Sequence, residues 1–255
     1  MNRLAGSAWP DLDRLATSGA VLVIPVGATE QHGPHLPVTT DTDIAVAVVE
    51  AAAALDPRLV VAPAVAYGSS GEHDGFTGTL SIGRDVTEEL LVELARSASR
   101  DFGRVVLACT HGGNAAPLAG ALDRLAAEGR PVTGWWPRWS GDLHAGRTET
   151  SLMLAIDPGR VRTGRASAGD TRSYAELLPL LEAGGVRSVS PSGVLGDPAG
   201  AGADEGRRLI RAAAADLVAV VAELADHPAG GHASGVHGAG VHASGVDGAE
   251  SGVVR

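Results

Sequence analysis

The sequence predicts an α/β fold in which a mainly parallel sheet carries helices on both faces. Three observations point there. Short apolar runs alternate with helix-length segments at the spacing of βαβ units. Hydrophobic residues make up 44% of the 255-residue chain but aromatics only 3%, so the core must be built from Ala, Val and Leu, which suit close helix-on-sheet packing. Clusters of polar, chemically capable residues follow several apolar runs, where ligands bind in open parallel sheets.

The elements follow in order. Residues 20–26 (AVLVIPV) read as a buried strand. Residues 41–54 read as a helix whose first turn carries Asp41 and Asp43, as the helix dipole favours. Residues 58–65 read as a second strand, followed by a Gly-rich polar loop over 67–83 whose length suits function. An amphipathic helix is expected over 85–101 and a third strand over 105–108, leading to Cys109-Thr110-His111. The Gly112-Gly113-Asn114 turn opens a helix to about Glu128, and 131–136 is a short strand. Residues 134–142, with three tryptophans, form a second candidate loop. Further helices are expected over 149–156, 173–182 and 204–226.

The expected domain spans 1–226. Residues 227–255 are Gly, Ala, Ser, Val and His with HASGV twice, and read as a disordered low-complexity tail. A metal site at the tail's His232, His237 and His242 is disfavoured, because ordering a flexible segment costs entropy. The net charge of −10 comes with no basic cluster, which argues against nucleic acid as a partner. Cys109 is the one cysteine, so no intramolecular disulfide forms, and inert packing is its expected role. With no signal pattern and no apolar run of membrane-spanning length, the expected compartment is the cytoplasm, with no membrane partner.

The chemistry concentrates in Thr29-Glu30-Gln31-His32-Gly33-Pro34-His35-Leu36-Pro37 and Asp41, directly after the first predicted strand. Glu30 and His32 are two apart and point to one side of an extended backbone, while Asp41 at the next helix start can reach back. His111 follows the third strand, and His144 and Glu149 follow the fourth. Mixed nitrogen and oxygen donors of this kind suit Zn²⁺, Fe²⁺ or Mn²⁺. Glu30, Asp41 and Glu149 carry three negative charges, which two divalent ions and one hydroxide balance; three buried carboxylates around one cation would leave costly uncompensated charge. Two ions bridged by a carboxylate are the expected cofactors, and bound metal brings water toward ionisation at neutral pH. His144 suits the role of proton shuttle to a departing amine, and the Gly112, Gly113 and Asn114 amides that of donors to an oxyanion or substrate carboxylate. His35, between prolines, reads as supporting; His73, beside Glu72, is balanced between substrate contact and surface. Trp135, Trp136 and Trp139 suit either a pocket wall or a subunit interface, and Trp139 is carried as a substrate-contact candidate.

Three motifs in order resemble the creatininase family over about residues 5–225: the stretch from Gly27 to Pro37 with Asp41, then His111-Gly112-Gly113-Asn114, then His144-Ala145-Gly146 with Glu149-Thr150-Ser151. The resemblance implies a three-layer α/β/α sandwich, a hexameric homo-oligomer, metal ligands at Glu30, His32, Asp41 and His111 with Asp41 bridging, and a catalytic histidine at His144. Where creatininase itself has a ligand Glu, this chain has Gly113, so Glu149 is expected to complete the second ion's shell and to share in catalysis. The chain also has Cys109-Thr110 where many relatives have Asn-Gly.

Within the family, the stretch 144–154 looks most like the branch of the mycofactocin system, which implies a peptidase releasing the modified C-terminal Val-Tyr piece of a ribosomal precursor peptide. A small-molecule amidohydrolase opening a cyclic amide or cleaving a formamide is the alternative of the same class. A non-catalytic metal-binding scaffold is the alternative of another class.

Overall fold

The computed structural model describes residues 1–139 and 141–226; the tail expected at 227–255 lies outside the described residues. Strands β1 (Asn2–Arg3), β2 (Val21–Val26), β3 (Leu59–Val61), β4 (Val105–Cys109) and β5 (Val132–Trp135) form a sheet in the order β1-β3-β2-β4-β5, every pair parallel. The helices are α1 (Trp9–Thr17), α2 (Thr40–Leu55), α3 (Arg84–Ala98), α4 (Ala115–Ala127), α5 (Arg147–Ile156), α6 (Tyr174–Val189) and α7 (Ala203–Asp226). None is long and apolar enough to cross a membrane.

The pleat sorts the core into two halves. Val21 and Val23 of β2, with Val106 and Ala108 of β4, face α2, α5 and α7. Leu22, Ile24 and Val26, with Val105, Leu107 and Cys109, face α3 and α4, with Leu12 and Leu15 of α1 packed alongside. Both faces of the two central strands are therefore dry, which explains why they read as continuous apolar runs rather than alternating ones. This is the three-layer α/β/α arrangement.

The sequence reading missed β1 and α1. β1 is two residues long and carries no periodic signal of its own; its pairing of Asn2 with Val60 is set by the sheet edge. The strand expected over 58–65 narrows to three residues, because Pro63 has no N–H to give a ladder. Val65 nevertheless donates to the Pro25 carbonyl at 2.9 Å, so the chain stays beside β2 as it leaves the sheet. The turn at 112–114 is a 3-10 helix preceding α4. α6 runs past the expected end at 182 but kinks at Gly185, whose φ of 66° is a left-handed conformation that glycine tolerates.

Candidate metal centre

The carboxyl ends of β2 and β4 lie side by side, with Val26 opposite Cys109, so the segments that follow them emerge together. Gly27 lets α2 approach: a Cβ there would lie 2.5 Å from the Thr42 backbone. Thr42 Oγ1 donates to the Ala28 carbonyl at 2.9 Å, and Thr110 Oγ1 donates to the Asp41 carbonyl at 2.8 Å. The second bond ties the start of α2 to the end of β4 and sets Asp41 beside His111. Thr110, which departs from many relatives, therefore has a structural job.

Asp41 presents one oxygen to each of two imidazoles: Oδ1 lies 3.3 Å from His32 Nε2 and Oδ2 lies 3.2 Å from His111 Nδ1. Glu30 is equally shared, with Oε2 3.3 Å from His111 Nε2 and Oε1 3.3 Å from His73 Nε2. Glu149 Oε2 lies 3.8 Å from His32 Nε2 and accepts the Ala145 N–H at 2.5 Å. Glu30, His32, Asp41 and His111 are all buried. Even so, Glu30 Oε2, His32 Nε2 and Asp41 Oδ2 have no hydrogen-bond partner. Buried polar atoms are nearly always satisfied, so three orphans aimed into one space call for a ligand. Their donor chemistry fits a divalent cation, and two of the groupings able to hold one are Glu30, His32 and Asp41, and His32, His144 and Glu149.

The charges answer one another. Burial disfavours the His32 imidazolium, but Asp41 and Glu149 outweigh it and push its pKa up to about 10. Burial also opposes charge on Asp41, yet His32 and His111 hold its carboxyl well below the usual range. Burial lifts Glu149 to about 7 against the pull of His32. Protons on two imidazoles thus hold the positive charge that this carboxylate cluster needs, and a cation entering it would displace them.

His144 is held by the Leu195 backbone on both sides and accepts no freedom at its ring: Nε2 sits 2.7 Å from the Gln31 carbonyl, to which it donates. That bond leaves Nδ1 as the acceptor, 3.7 Å from Glu30 Oε1. Burial, reinforced by nearby His32, holds His144 well below the usual histidine range, so it is a neutral base. The next residue, Ala145, has a φ of 53°, a strained conformation for a side chain with a Cβ. The turn it makes aims His144 and Glu149 into the same space.

Several expectations change. His73 is buried within the cluster rather than at the surface, and burial pushes its pKa down to about 3. Trp139 packs against the core beside α2, α5 and α7 and does not line the cleft. Trp135 is buried and donates to Asp216 Oδ2 at 2.8 Å. Asn114 is not a free donor, because its N–H bonds to His111 O, its Oδ1 accepts from Ser69 N at 2.9 Å and its Nδ2 donates to Gly27 O at 3.0 Å. Gly112 and Gly113 do line the cleft. His35 Nε2 bonds to Thr150 Oγ1 at 2.9 Å, behind the cluster. Cys109 is buried with its thiol pushed up to about 12, as inert packing requires.

Two residues went unread. Gln31 Nε2 donates to His73 Nδ1 at 2.8 Å and the Gln31 carbonyl accepts from His144 Nε2 at 2.7 Å, joining two histidines from distant loops. Glu72 Oε1 lies 3.9 Å from His111 Nε2. Gln31 sits inside the first motif between Glu30 and His32, which was the available signal; Glu72 offered only its place in the long polar loop.

A cleft of about 560 Å³ leads from Glu30, His111 and His144 outward between α4 and α6. Orphaned ligand atoms at the dry end of such a cleft, on the carboxyl edge of a parallel sheet, define a metal-dependent hydrolase. The family model for creatininase, described as creatinine amidohydrolase, matches residues 5–221, and the chain belongs to that family of amide-bond hydrolases. A protein named mycofactocin precursor peptide peptidase from Mycobacterium ulcerans (strain Agy99) is 47% identical over 234 residues, 88% of this chain and 89% of that one. A protein of the same name from Mycolicibacterium smegmatis is 50% identical over 196 residues, 74% and 79% of the two chains. A crystal structure of creatinine amidohydrolase shares the fold with a TM-score of 0.74 at 23% identity, over 87% of this chain and 96% of that one.

If Asp41 joins the two halves of the centre, Asp41→Asn should weaken metal retention at least ~10-fold, read by metal analysis after dialysis, with circular dichroism to establish folding. Full metal content in the folded variant would remove Asp41 from the ligand set.

Proposed function

We propose that this chain is a cytoplasmic, two-metal peptidase that releases the modified C-terminal Val-Tyr-derived dipeptide from a ribosomal precursor peptide. The high identity to two proteins named for that substrate supports the reading, and the cleft is the observation that carries it. Its walls combine the buried cluster with Ala115, Ala119, Leu178 and Leu181, an apolar run beyond what a small cyclic amide fills. Arg84 also lines it, and has no ion-pair partner among the described residues. In this reading its guanidinium receives the carboxylate at the end of the peptide.

Glu30, His32, Asp41, His111 and Glu149 would hold the two ions, Zn²⁺, Fe²⁺ or Mn²⁺. Bound there, the ions supply a Lewis acid for the scissile carbonyl and water acidified toward neutral pH. His144 does the proton work: its neutral Nδ1 accepts a proton at the attack step and returns it to the departing amine. The Gly112 and Gly113 backbone flanks the reacting carbonyl. The catalytic unit is 1–226, with 227–255 dispensable. Exposed Trp9, Val86 and Leu94 on α1 and α3 fit the homo-oligomer, a hexamer, that the family resemblance implies.

Mass spectrometry of the metal-loaded protein with the modified precursor tests the activity. Release of the C-terminal dipeptide is expected, from the full chain and from one ending at 226. Chelation should stop it, and an amidated C-terminus should slow it. An intact peptide beside an opened cyclic amide or cleaved formamide would move the protein to the small-molecule branch, and no turnover with metal bound would make it a scaffold. His144→Ala should keep its metal and lose about 10²–10⁴ in kcat; an unchanged rate would remove His144 from proton transfer. Light scattering should give a multiple of the 25.7 kDa chain mass, and a monomer would refute the oligomer.

A further inference from the structure

The His111 side of the centre has a carboxylate that no motif accounts for. Glu72 sits in the short 3-10 helix Gly71–His73 of the long loop, and Glu30, Glu72 and His111 bring donor atoms within 4.8 Å of one another. The same corner contains Glu30 Oε2, buried and without a hydrogen-bond partner. Glu72 reaches it because residue 113 is glycine. A Cβ on Gly113 would stand 2.2 Å from the Ser69 carbonyl oxygen, 2.4 Å from Glu72 Oε1 and 2.6 Å from His111 Nε2, which donates to that carbonyl at 2.8 Å. Glycine at 113 therefore leaves room for the Ser69 backbone, the His111 ring and the Glu72 carboxylate together.

The loop is built to hold Glu72 there. Ser69 N bonds to Asn114 Oδ1 at 2.9 Å, Leu80 N to Thr29 O at 2.9 Å and Ile82 N to Gly68 O at 3.0 Å. From the other side the kink of α6 closes on it, since a Cβ at Gly185 would lie 2.8 Å from the Glu72 carbonyl oxygen. The loop is thus clamped between β2, the start of α4 and α6, although Glu72 lies far in sequence from the other ligands.

We propose that Glu72 is a metal ligand, supplying from the 67–83 loop the carboxylate for the ion on the His111 side, while Glu149 serves the ion on the His32 side. The inference rests on the metallohydrolase reading above. It gives each half a carboxylate of its own, with Asp41 between them. Four carboxylates match the charge of two divalent ions when a neutral water is bound, where three match it only with a hydroxide.

The test is metal binding rather than turnover. Apo-protein made with a chelator is titrated with Co²⁺, reading the visible absorption spectrum and the bound stoichiometry. Wild type is expected to bind two ions. Glu72→Gln should bind one of them at least ~10-fold more weakly, with a changed spectrum. A folded Glu72→Gln protein that titrates like wild type would overturn the assignment while leaving the metallohydrolase reading intact. A wild type that binds no Co²⁺ would overturn both readings.

Discussion

Asp41 is 2% exposed and lies between two histidines that come from opposite ends of the first half of the chain. A carboxylate in that position must be matched by positive charge, because burying it alone costs far more than any single contact returns. The neighbouring architecture serves this need. β2 and β4 run parallel and end level, so His32 and His111 arrive together. Gly27 admits the first turn of α2, and the Thr110 bond to the Asp41 carbonyl fixes the helix in place. On the sheet side the candidate ligands lie in the segments that directly follow β2 and β4 and in the first turn of α2.

The solvent side is assembled differently. His73, Gln31 and His144 form a chain of polar contacts that joins the 67–83 loop to the loop before α5. α6 covers this edge, with Leu177 and Val186 packed against Leu195, whose backbone in turn pairs with His144. The position of His144 thus depends on one small apolar cluster outside the main core. This separation suits a hydrolase: a stable sheet carries the charge-bearing ligands, while the covering segments can vary to choose which amide reaches them.

The strained Ala145 belongs to the same economy of space. A residue with a Cβ at φ 53° costs about 1–2 kcal/mol, and the surrounding bonds from His144 to Leu195 and from Ala145 to Glu149 hold it. The turn brings a neutral histidine and a carboxylate, five residues apart, to bear on one cluster. Strain located between two site residues is a reason to regard the turn as functional rather than incidental.

Most of the layer architecture was legible in the sequence, because β2 and β4 are buried on both faces and their covering helices on one, and composition declares it. Glu30, His32 and His111 were legible for a related reason: each lies within a few residues of a strand end, where chain direction alone determines which edge it reaches, while Asp41 was legible as a first-turn acid of α2. Misreadings came where a side chain had more than one partner to choose from. The Asn114 amide looked like a substrate donor but bonds to the His111 carbonyl, and Trp139, read as pocket wall or subunit interface, packs on the core. Local sequence determined the strand-end chemistry of this protein, since β-strands impose direction over short distances. Only the tertiary structure decided that His73, Glu72 and Gln31 join it, because loop closure and the packing of α6 bring together residues that no local periodicity relates.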